Sequence, residues 1–308
     1  MFTKLKKILK FIFDKDYRFL FLSARGKLAH LPTDKFLKRK YEIRMGKKLN
    51  LESPVYYTEK LQWLKLYDHR PEYTIMVDKY EAKNYVAQRI GEQYVIPSLG
   101  VWENVDEINF SVLPDRFVMK TTHDSGGLII CKDKKNLDIN KTKKKLDYYL
   151  KRSYYDCNRE WPYKNVKPRI IAEKYMEDCK YKELRDYKFF TFGGVPKVLY
   201  IAQGRGTNDD TVADFFDMKF NHLPFTIDHE MAEIPPEKPK CFDEMKRLAA
   251  ILSEGTPQLR VDFYEVDGKV YFGEMTFFHC SGMEEFHPIE WNKIFGEWVV
   301  LPPIYPGG

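Results

Sequence analysis

The chain has 308 residues, enough to bury a substantial core in more than one lobe. Hydrophobic residues make up 44% and charged residues 31%, the composition of a water-soluble globular protein. A net charge of +6 suits an anionic ligand or membrane surface. It is too small, and too mixed with acidic residues, for a nucleic-acid binder, and no RNA- or DNA-binding signature occurs. Five scattered cysteines, with no Cys-x-x-Cys, argue against a disulfide framework or zinc knuckle and for a reducing cytoplasm. No apolar run approaches the ~20 residues that span a bilayer.

Residues 4–13 place Leu5, Ile8, Leu9 and Ile12 at helical spacing, with Lys6, Lys7 and Lys10 elsewhere. The simpler reading of so short a basic amphipathic helix is packing on its own chain. The alternative is loose attachment of residues 1–20 to an anionic membrane. Residues 15–55 stay basic and less regular. Helices are expected over 58–68 and over 78–90, the second ended by Gly91. Strands follow over 116–120 and 128–132, flanking Ser125-Gly126-Gly127. Residues 140–152 form a helix with solvated lysines. Strands over 169–176, 187–192 and 195–203 come next, the last two joined by Gly193-Gly194. A helix over 243–254 precedes a hairpin, and 284–300 is broadly helical with a break near Pro288. This mixture is α+β with antiparallel hairpins, not a regular βαβ series.

The hairpin, residues 260–278, is the most informative stretch. Arg260 and Asp262 share one face of the first strand, and Glu274 and Thr276 share one face of the second. If both faces coincide, one arginine and two carboxylates converge, a set suited to a divalent metal and phosphate. Around Asp267-Gly268 a plain two-residue turn would set Asp262 opposite Gly273 and turn Glu274 away. A three-residue loop or a bulge is therefore required. Read alone, the stretch is equally a hairpin with one solvated face. Upstream, Lys120 opens a loop in which Gly126 and Gly127 let the backbone approach a phosphate and Ser125 adds a hydroxyl. It is not a Walker A loop. His123 and His279 read as loop histidines, and Cys280 as a pocket wall, since no nucleophile elbow surrounds it.

The charged positions form an ordered series: Asp78-Lys79; Lys120; Glu173-Lys174-Tyr175-Met176; Asp186-Tyr187-Lys188; Arg205; Arg260-x-Asp262; Glu274-x-Thr276. Over roughly residues 75–285 this series resembles the ATP-grasp superfamily of carboxylate–amine ligases and their kinase relatives. The phrases Glu59-Lys60-Leu61-Gln62-Trp63, Asp186-Tyr187-Lys188-Phe189-Phe190 and Phe272-Gly273-Glu274-Met275-Thr276 are similar to its teichuronopeptide-biosynthesis-like (TupA-like) branch. That branch occurs in surface-polysaccharide gene clusters and is often labelled glycosyltransferase.

The resemblance implies an ATP-grasp fold, two α+β lobes clasping ATP behind an N-terminal helical extension. Its divisions are a basic helical region (1–70), a lobe with the glycine loop (71–160) and a lobe with the metal-binding hairpin (161–308). It implies that Lys79 and Lys120 hold ATP phosphates under the loop of Ser125, Gly126 and Gly127. Glu173 and the backbone of Lys174 and Met176 would meet adenine, and Asp178 or Asp186 the ribose. Lys188 would lie near the phosphates, and Arg260 and Arg205 would steady the transferred phosphoryl group and the acceptor carboxylate. Asp262 and Glu274 would hold Mg²⁺. Thr276 stands where many relatives have Asn, so a second ion is less firmly held. The implied reaction joins an amine or amino acid to a uronic acid of a surface saccharide through an acyl phosphate, in the cytoplasm or at the membrane's inner face. A kinase using the same ATP site is one rival. A glycosyltransferase is another, although Asp209-Asp210 lacks the Asp-x-Asp spacing; a non-catalytic scaffold is the third.

Overall fold

The computed structural model describes residues 2–179, 184–204 and 211–305. It opens with helices α1 (Phe2–Phe13), α2 (Lys15–Ser23) and α3 (Thr33–Met45), then α4 (Tyr57–Tyr67), α5 (Glu72–Val77) and α6 (Glu81–Ile90). Strands β1 (Ser98–Trp102), β2 (Phe117–Thr121) and β3 (Leu128–Cys131) precede α7 (Ile139–Leu150) and α8 (Tyr154–Asn158). Then come β4 (Ile170–Lys174), β5 (Asp186–Phe192), β6 (Val195–Gln203), β7 (Val212–Asp217) and β8 (His222–Leu223). Helix α9 (Phe242–Leu252), strands β9 (Gln258–Val266) and β10 (Lys269–Thr276), and helix α10 (Glu290–Trp298) complete the order. No helix among the described residues is long and apolar enough to cross a membrane.

The strands make two antiparallel sheets: four strands ordered β1-β4-β2-β3, and six ordered β10-β9-β5-β6-β7-β8. Strand β4 belongs to the first sheet, so the lobe boundary falls after it and not at 160. The six-stranded sheet carries the largest core. Successive residues of β5 point to opposite faces, and both faces are covered. Phe189 meets Phe242 of α9, while Phe190 meets Phe295 of α10. Each such phenylalanine contributes about 2–3 kcal/mol through burial. Smaller cores hold α7 against the first sheet and α3 against the loop at Met283.

The stretch 15–55 is more regular than expected. Asp14 accepts hydrogen bonds from the Asp16 and Tyr17 N–H groups and so starts α2, and α3 ends at Gly46 with φ 64°. The first turn of α4 is held by Glu59, whose carboxylate accepts from the Val55 and Tyr56 N–H groups. Helix α6 begins three residues later than expected because the Lys79 N–H is donated to the Thr122 carbonyl. Helix α10 is shorter than 284–300. His287 pairs in extended form with Thr226 and precedes a proline, which disfavours helix. The packing expected of α1 is corrected too. Ile8, Leu9, Ile12 and Phe13 are 47–78% exposed, and among the described residues the helix rests chiefly on α2, through contacts such as Phe11 on Phe21.

The hairpin corrects one expectation and meets its alternative. Its turn has two residues, Asp267 and Gly268, both with positive φ, so there is no three-residue loop. The register shifts between Phe272 and Glu274, a bulge at Gly273. Asp262 therefore opposes Glu274, and Arg260 opposes Thr276. A Cβ at Gly273 would sit 3.0 Å from the Asp262 carbonyl oxygen, which explains glycine there.

Candidate active site between the two sheets

One side of the site is built on β5, β9 and β10. Lys188, Asp262 and Glu274 lie abreast because Asp262 is the registered neighbour of both others. Lys188 Nζ donates to Asp262 Oδ2 at 2.6 Å and lies 3.6 Å from Asp186. Arg260 Nε and Nη2 hold the two Asp262 oxygens at 2.7 and 2.8 Å. The same Nη2 reaches Glu274 Oε1 at 2.8 Å and Thr276 Oγ1 at 3.1 Å. Burial alone would push the Asp262 carboxyl up, but Arg260 and Lys188 outweigh it and hold the group below the usual carboxylate range. Glu274 is held down likewise, against burial and Asp262, by Arg260, Lys188 and Lys79.

The four-stranded sheet supplies the other side. Glu173 is clasped by Lys120 at 2.8 Å and by Lys83 at 2.5 Å. Burial opposes its charge, yet the two ammonium groups hold its carboxyl at about 2. Lys79 Nζ donates to the Asp124 carbonyl at 2.8 Å, and burial lowers its pKa. The glycine loop is closed by the Thr121 N–H on the Gly127 carbonyl. A Cβ at Gly127 would collide with the Thr121 side chain, and one at Gly126 with the Tyr149 ring.

A cavity of about 380 Å³ lies between the sheets, lined by Lys79, Lys120, Ser125, Gly127, Glu173, Asp186, Lys188, Arg260 and Glu274. Asp262 sits beneath them and is 1% exposed. Thr276 borders a neighbouring cavity of about 530 Å³, which shares Lys79, Ser125, Arg260, Glu274 and Cys280 with the first. Besides Asp262 and Thr276, four expected residues among those described do not line the first cavity. The Gly126 N–H is donated to Asp124 Oδ1. Lys174 is exposed, with its N–H on the Pro97 carbonyl, and Met176 lies beyond it. Asp178 accepts from the Asp267 N–H and ties down the hairpin turn, which leaves Asp186 as the carboxylate at the cavity. Arg205 and Asp209-Asp210 lie outside the described residues.

Some contributors were not anticipated. Lys83 is one helical turn beyond Lys79, a spacing that could have flagged it. Arg169 anchors the start of α6 through Asp78 at 2.7 Å. His279 accepts from Arg260 Nη1 at its Nδ1, and burial with Arg260 drives its pKa down to about 3. It is thus neutral, with its proton on Nε2. Asp228, His279 and Cys280 cluster closely enough to suggest a metal, but the protonated Nε2 offers no lone pair. Burial and Asp228 push the Cys280 thiol up to about 12, so it is a wall and not a nucleophile.

This donor set fits MgATP. Hard oxygen ligands face one another at Asp262 and Glu274, and Glu274 is half-open to the cavity. Lys79, Lys120, Lys188 and Arg260 surround that space with positive charge. Arg260 and Lys188 already neutralise the two carboxylates, so a metal ion would share those ligands with them.

A family model described as TupA-like ATPgrasp matches residues 59–300. Among curated proteins no match is found. Solved structures with similarity include D-alanine–D-alanine ligase from Bacillus anthracis, at 18% identity over 66% of this chain and 57% of that one, TM-score 0.38. The Helicobacter pylori D-alanine–D-alanine ligase gives 15% identity over 79% and 69%, TM-score 0.41. The D-cycloserine synthetase DcsG gives 15% over 72% and 69%, TM-score 0.40. This chain thus spans little more than half of the first of these, and overlaps this partial carry no argument about activity. The family match covers most of the chain and the whole two-sheet site: the chain belongs to the TupA-like ATPgrasp family, and its two sheets with the cavity between them are an ATP-grasp fold.

Proposed function

We propose that the protein is an ATP-dependent carboxylate–amine ligase. The observation that carries this reading is the row Lys188–Asp262–Glu274, cross-linked by Arg260 and faced across a cavity by Lys79 and Lys120. A carboxylate is a poor acylating agent until one of its oxygens becomes a leaving group. Attack of that oxygen on the γ-phosphorus gives an acyl phosphate and ADP; an amine then forms the C–N bond and phosphate departs. Bound Mg²⁺ would neutralise phosphate oxygens from Asp262 and Glu274, with Thr276 beside them. Lys79 and Lys120 would hold the phosphates from the other sheet, and Arg260 would steady the phosphoryl group in flight. Asp186, at the cavity, would take the ribose, and Glu173, paired with Lys83 and Lys120, would meet the adenine edge.

The acid is a uronic acid of a surface saccharide and the amine an amino acid, a substrate pair that rests on the family resemblance. The neighbouring cavity supports a two-substrate reaction, since it adds room on the far side of Arg260 and Glu274. The exposed apolar stripe of α1 beside Lys6, Lys7 and Lys10 supports peripheral contact with the inner face of a membrane. The test is ADP release from MgATP against methyl glycosides of uronic acids crossed with amino acids, with mass spectrometry of the products. An amide plus free phosphate, requiring both partners, is expected. A phosphorylated sugar formed without an amine would make the protein a kinase instead.

A further inference from the structure

The cavity of about 530 Å³ lies between the N-terminal helices and the hairpin, and its α2 and α3 walls precede the family-matched stretch. Glu160 lines it. That residue is 1% exposed, and its Oε1 has no hydrogen-bond partner among the described residues. Leaving a buried carboxylate oxygen without a donor is costly. The cations around it spend their protons elsewhere. Lys65 Nζ donates to the Asn158 carbonyl and to the carbonyl and Oγ of Ser281, at 3.2, 2.8 and 2.7 Å. Lys40 Nζ donates to the Cys157 carbonyl at 2.8 Å and to Asn158 Oδ1 at 2.6 Å. Arg260 is committed to Asp262, Glu274, Thr276 and His279.

Other features of this wall point to a ligand. Cys280 and Ser281 both hold positive φ, 47° and 57°, a conformation that non-glycine residues keep only when their surroundings enforce it. Here Gln62 and Lys65 of α4 enforce it by donating to the Ser281 and Gly282 carbonyls. The rings of Tyr154 and Tyr163, edge-to-face at 4.7 Å, supply an aromatic surface suited to a cation. Lys40 and Arg44 enter from α3 at four-residue spacing and so share one face. Arg44 is half exposed and pairs with Glu284. The Glu160 carboxylate and the two α3 cations border the same cavity, a set that matches a zwitterion.

We infer that this cavity is the amino-acid subsite, in which Glu160 receives the α-ammonium group and takes its proton while Lys40 and Arg44 hold the carboxylate. The inference rests on the ligase reading and names the residues that serve its second substrate. The ammonium N–H proton passes to Glu160. The freed lone pair forms the C–N bond to the acyl carbon, and the C–O bond to phosphate breaks. A second N–H proton leaves with the phosphate, and Glu160 releases its own to solvent. Burial raises the Glu160 carboxyl, against Lys65, Ser281, Lys40 and Arg260, which favours proton acceptance.

Hydroxylamine separates this idea from the ligase reading, because it is unprotonated at neutral pH and needs no base. The full-length wild type and Glu160→Gln are assayed with MgATP, a methyl uronoside and either hydroxylamine or an amino acid. Glu160→Gln should lower amide formation by about 100-fold, and hydroxamate formation far less. The hydroxamate it still makes reports that it is folded. Arg44→Ala, at a half-exposed position, should raise KM for the amino acid about tenfold with KM for ATP unmoved. Equal loss on both nucleophiles, or no loss, overturns the subsite while the ligase stands. A wild type that makes neither product removes the ligase reading and the subsite with it.

Discussion

The two cavities meet at Arg260 and Glu274 but are built by opposite means. The first is made by strands, and its charged side chains stand at period-two positions on registered neighbours. Four of the cations lining it are matched to an anion, Lys188 and Arg260 to Asp262 and Lys120 and Lys83 to Glu173, while Lys79 rests on the Asp124 carbonyl. The second is made by helix ends, a short buried loop and three consecutive left-handed residues; among the described residues its Glu160 Oε1 has no hydrogen-bond partner, as Asp124 Oδ2 has none at the first. The difference teaches that the first cavity is a frame tied together largely by its own ion pairs, in which small changes propagate. In the second, charge is held ready for a ligand.

The largest effects should come from breaking the frame. Asp262→Ala leaves Arg260 and Lys188 without their shared carboxylate in a site that is nearly inaccessible to water. Loss of stability of about 3–5 kcal/mol is expected, read as a fall in denaturation midpoint. Asp262→Asn and Glu274→Gln keep the volume, and ADP release should fall at least ~10²–10³-fold in each. An unchanged rate in either would remove the residue from the site.

What the sequence revealed follows the same division. Arg260, Asp262, Glu274 and Lys120 were legible because strand alternation and a glycine loop are local signals that survive without tertiary context, whereas Lys79, Glu173 and Lys188 came only from the ordered series that resembles the ATP-grasp superfamily. The need for a bulge was legible too, from parity alone, although its place at Gly273 rather than at the turn was not. Asp178 could not be told from Asp186, since which of two nearby carboxylates is consumed by a turn amide depends on how the hairpin folds back. Glu160, Lys40 and Lys65 gave no signal. Lys40 and Glu160 reach their cavity from segments more than ninety residues apart, with Lys65 behind them, and a buried charge looks like a solvated one until the fold is known.

Gly273→Val sharpens the account of the frame. The branched side chain would meet the Asp262 carbonyl oxygen and the Tyr264 ring, so the bulge must shift. A cost of about 1–3 kcal/mol in stability is expected, with weaker ATP affinity measured by titration calorimetry. Unaltered ATP affinity would mean that the register of Glu274 does not govern phosphate binding.

Glu173→Gln tests the other sheet through pH. The folded carboxyl is held at about 2 against an ordinary 4.5. A carboxyl depressed by folding stabilises above its unfolded pKa, and that stability drains as pH falls from about 4.5 toward 2. The shift corresponds to about 3 kcal/mol at neutral pH. Glu173→Gln should therefore melt lower than wild type at pH 7, and the gap should close progressively below pH 4.5. A gap that persists at pH 2–3 would assign the loss to packing rather than to charge.

The smallest effect on catalysis should follow removal of residues 1–13. Among the described residues helix α1 packs chiefly on α2, by the Phe11–Phe21 rings and by Arg18 Nη1 on the Phe11 and Ile12 carbonyls. None of its residues lines either cavity. Turnover of small dissolved substrates should stay within about twofold, since neither frame nor subsite is disturbed. Sedimentation with vesicles containing anionic lipid should fall sharply, because Lys6, Lys7 and Lys10 are each worth about 1 kcal/mol near such a surface and Ile8, Leu9, Ile12 and Phe13 add buried area. Loss of turnover in solution would tie α1 to the second cavity through α2, whose Leu20 and Ser23 line it. Vesicle binding that survives the truncation would move the membrane contact to another face of the protein.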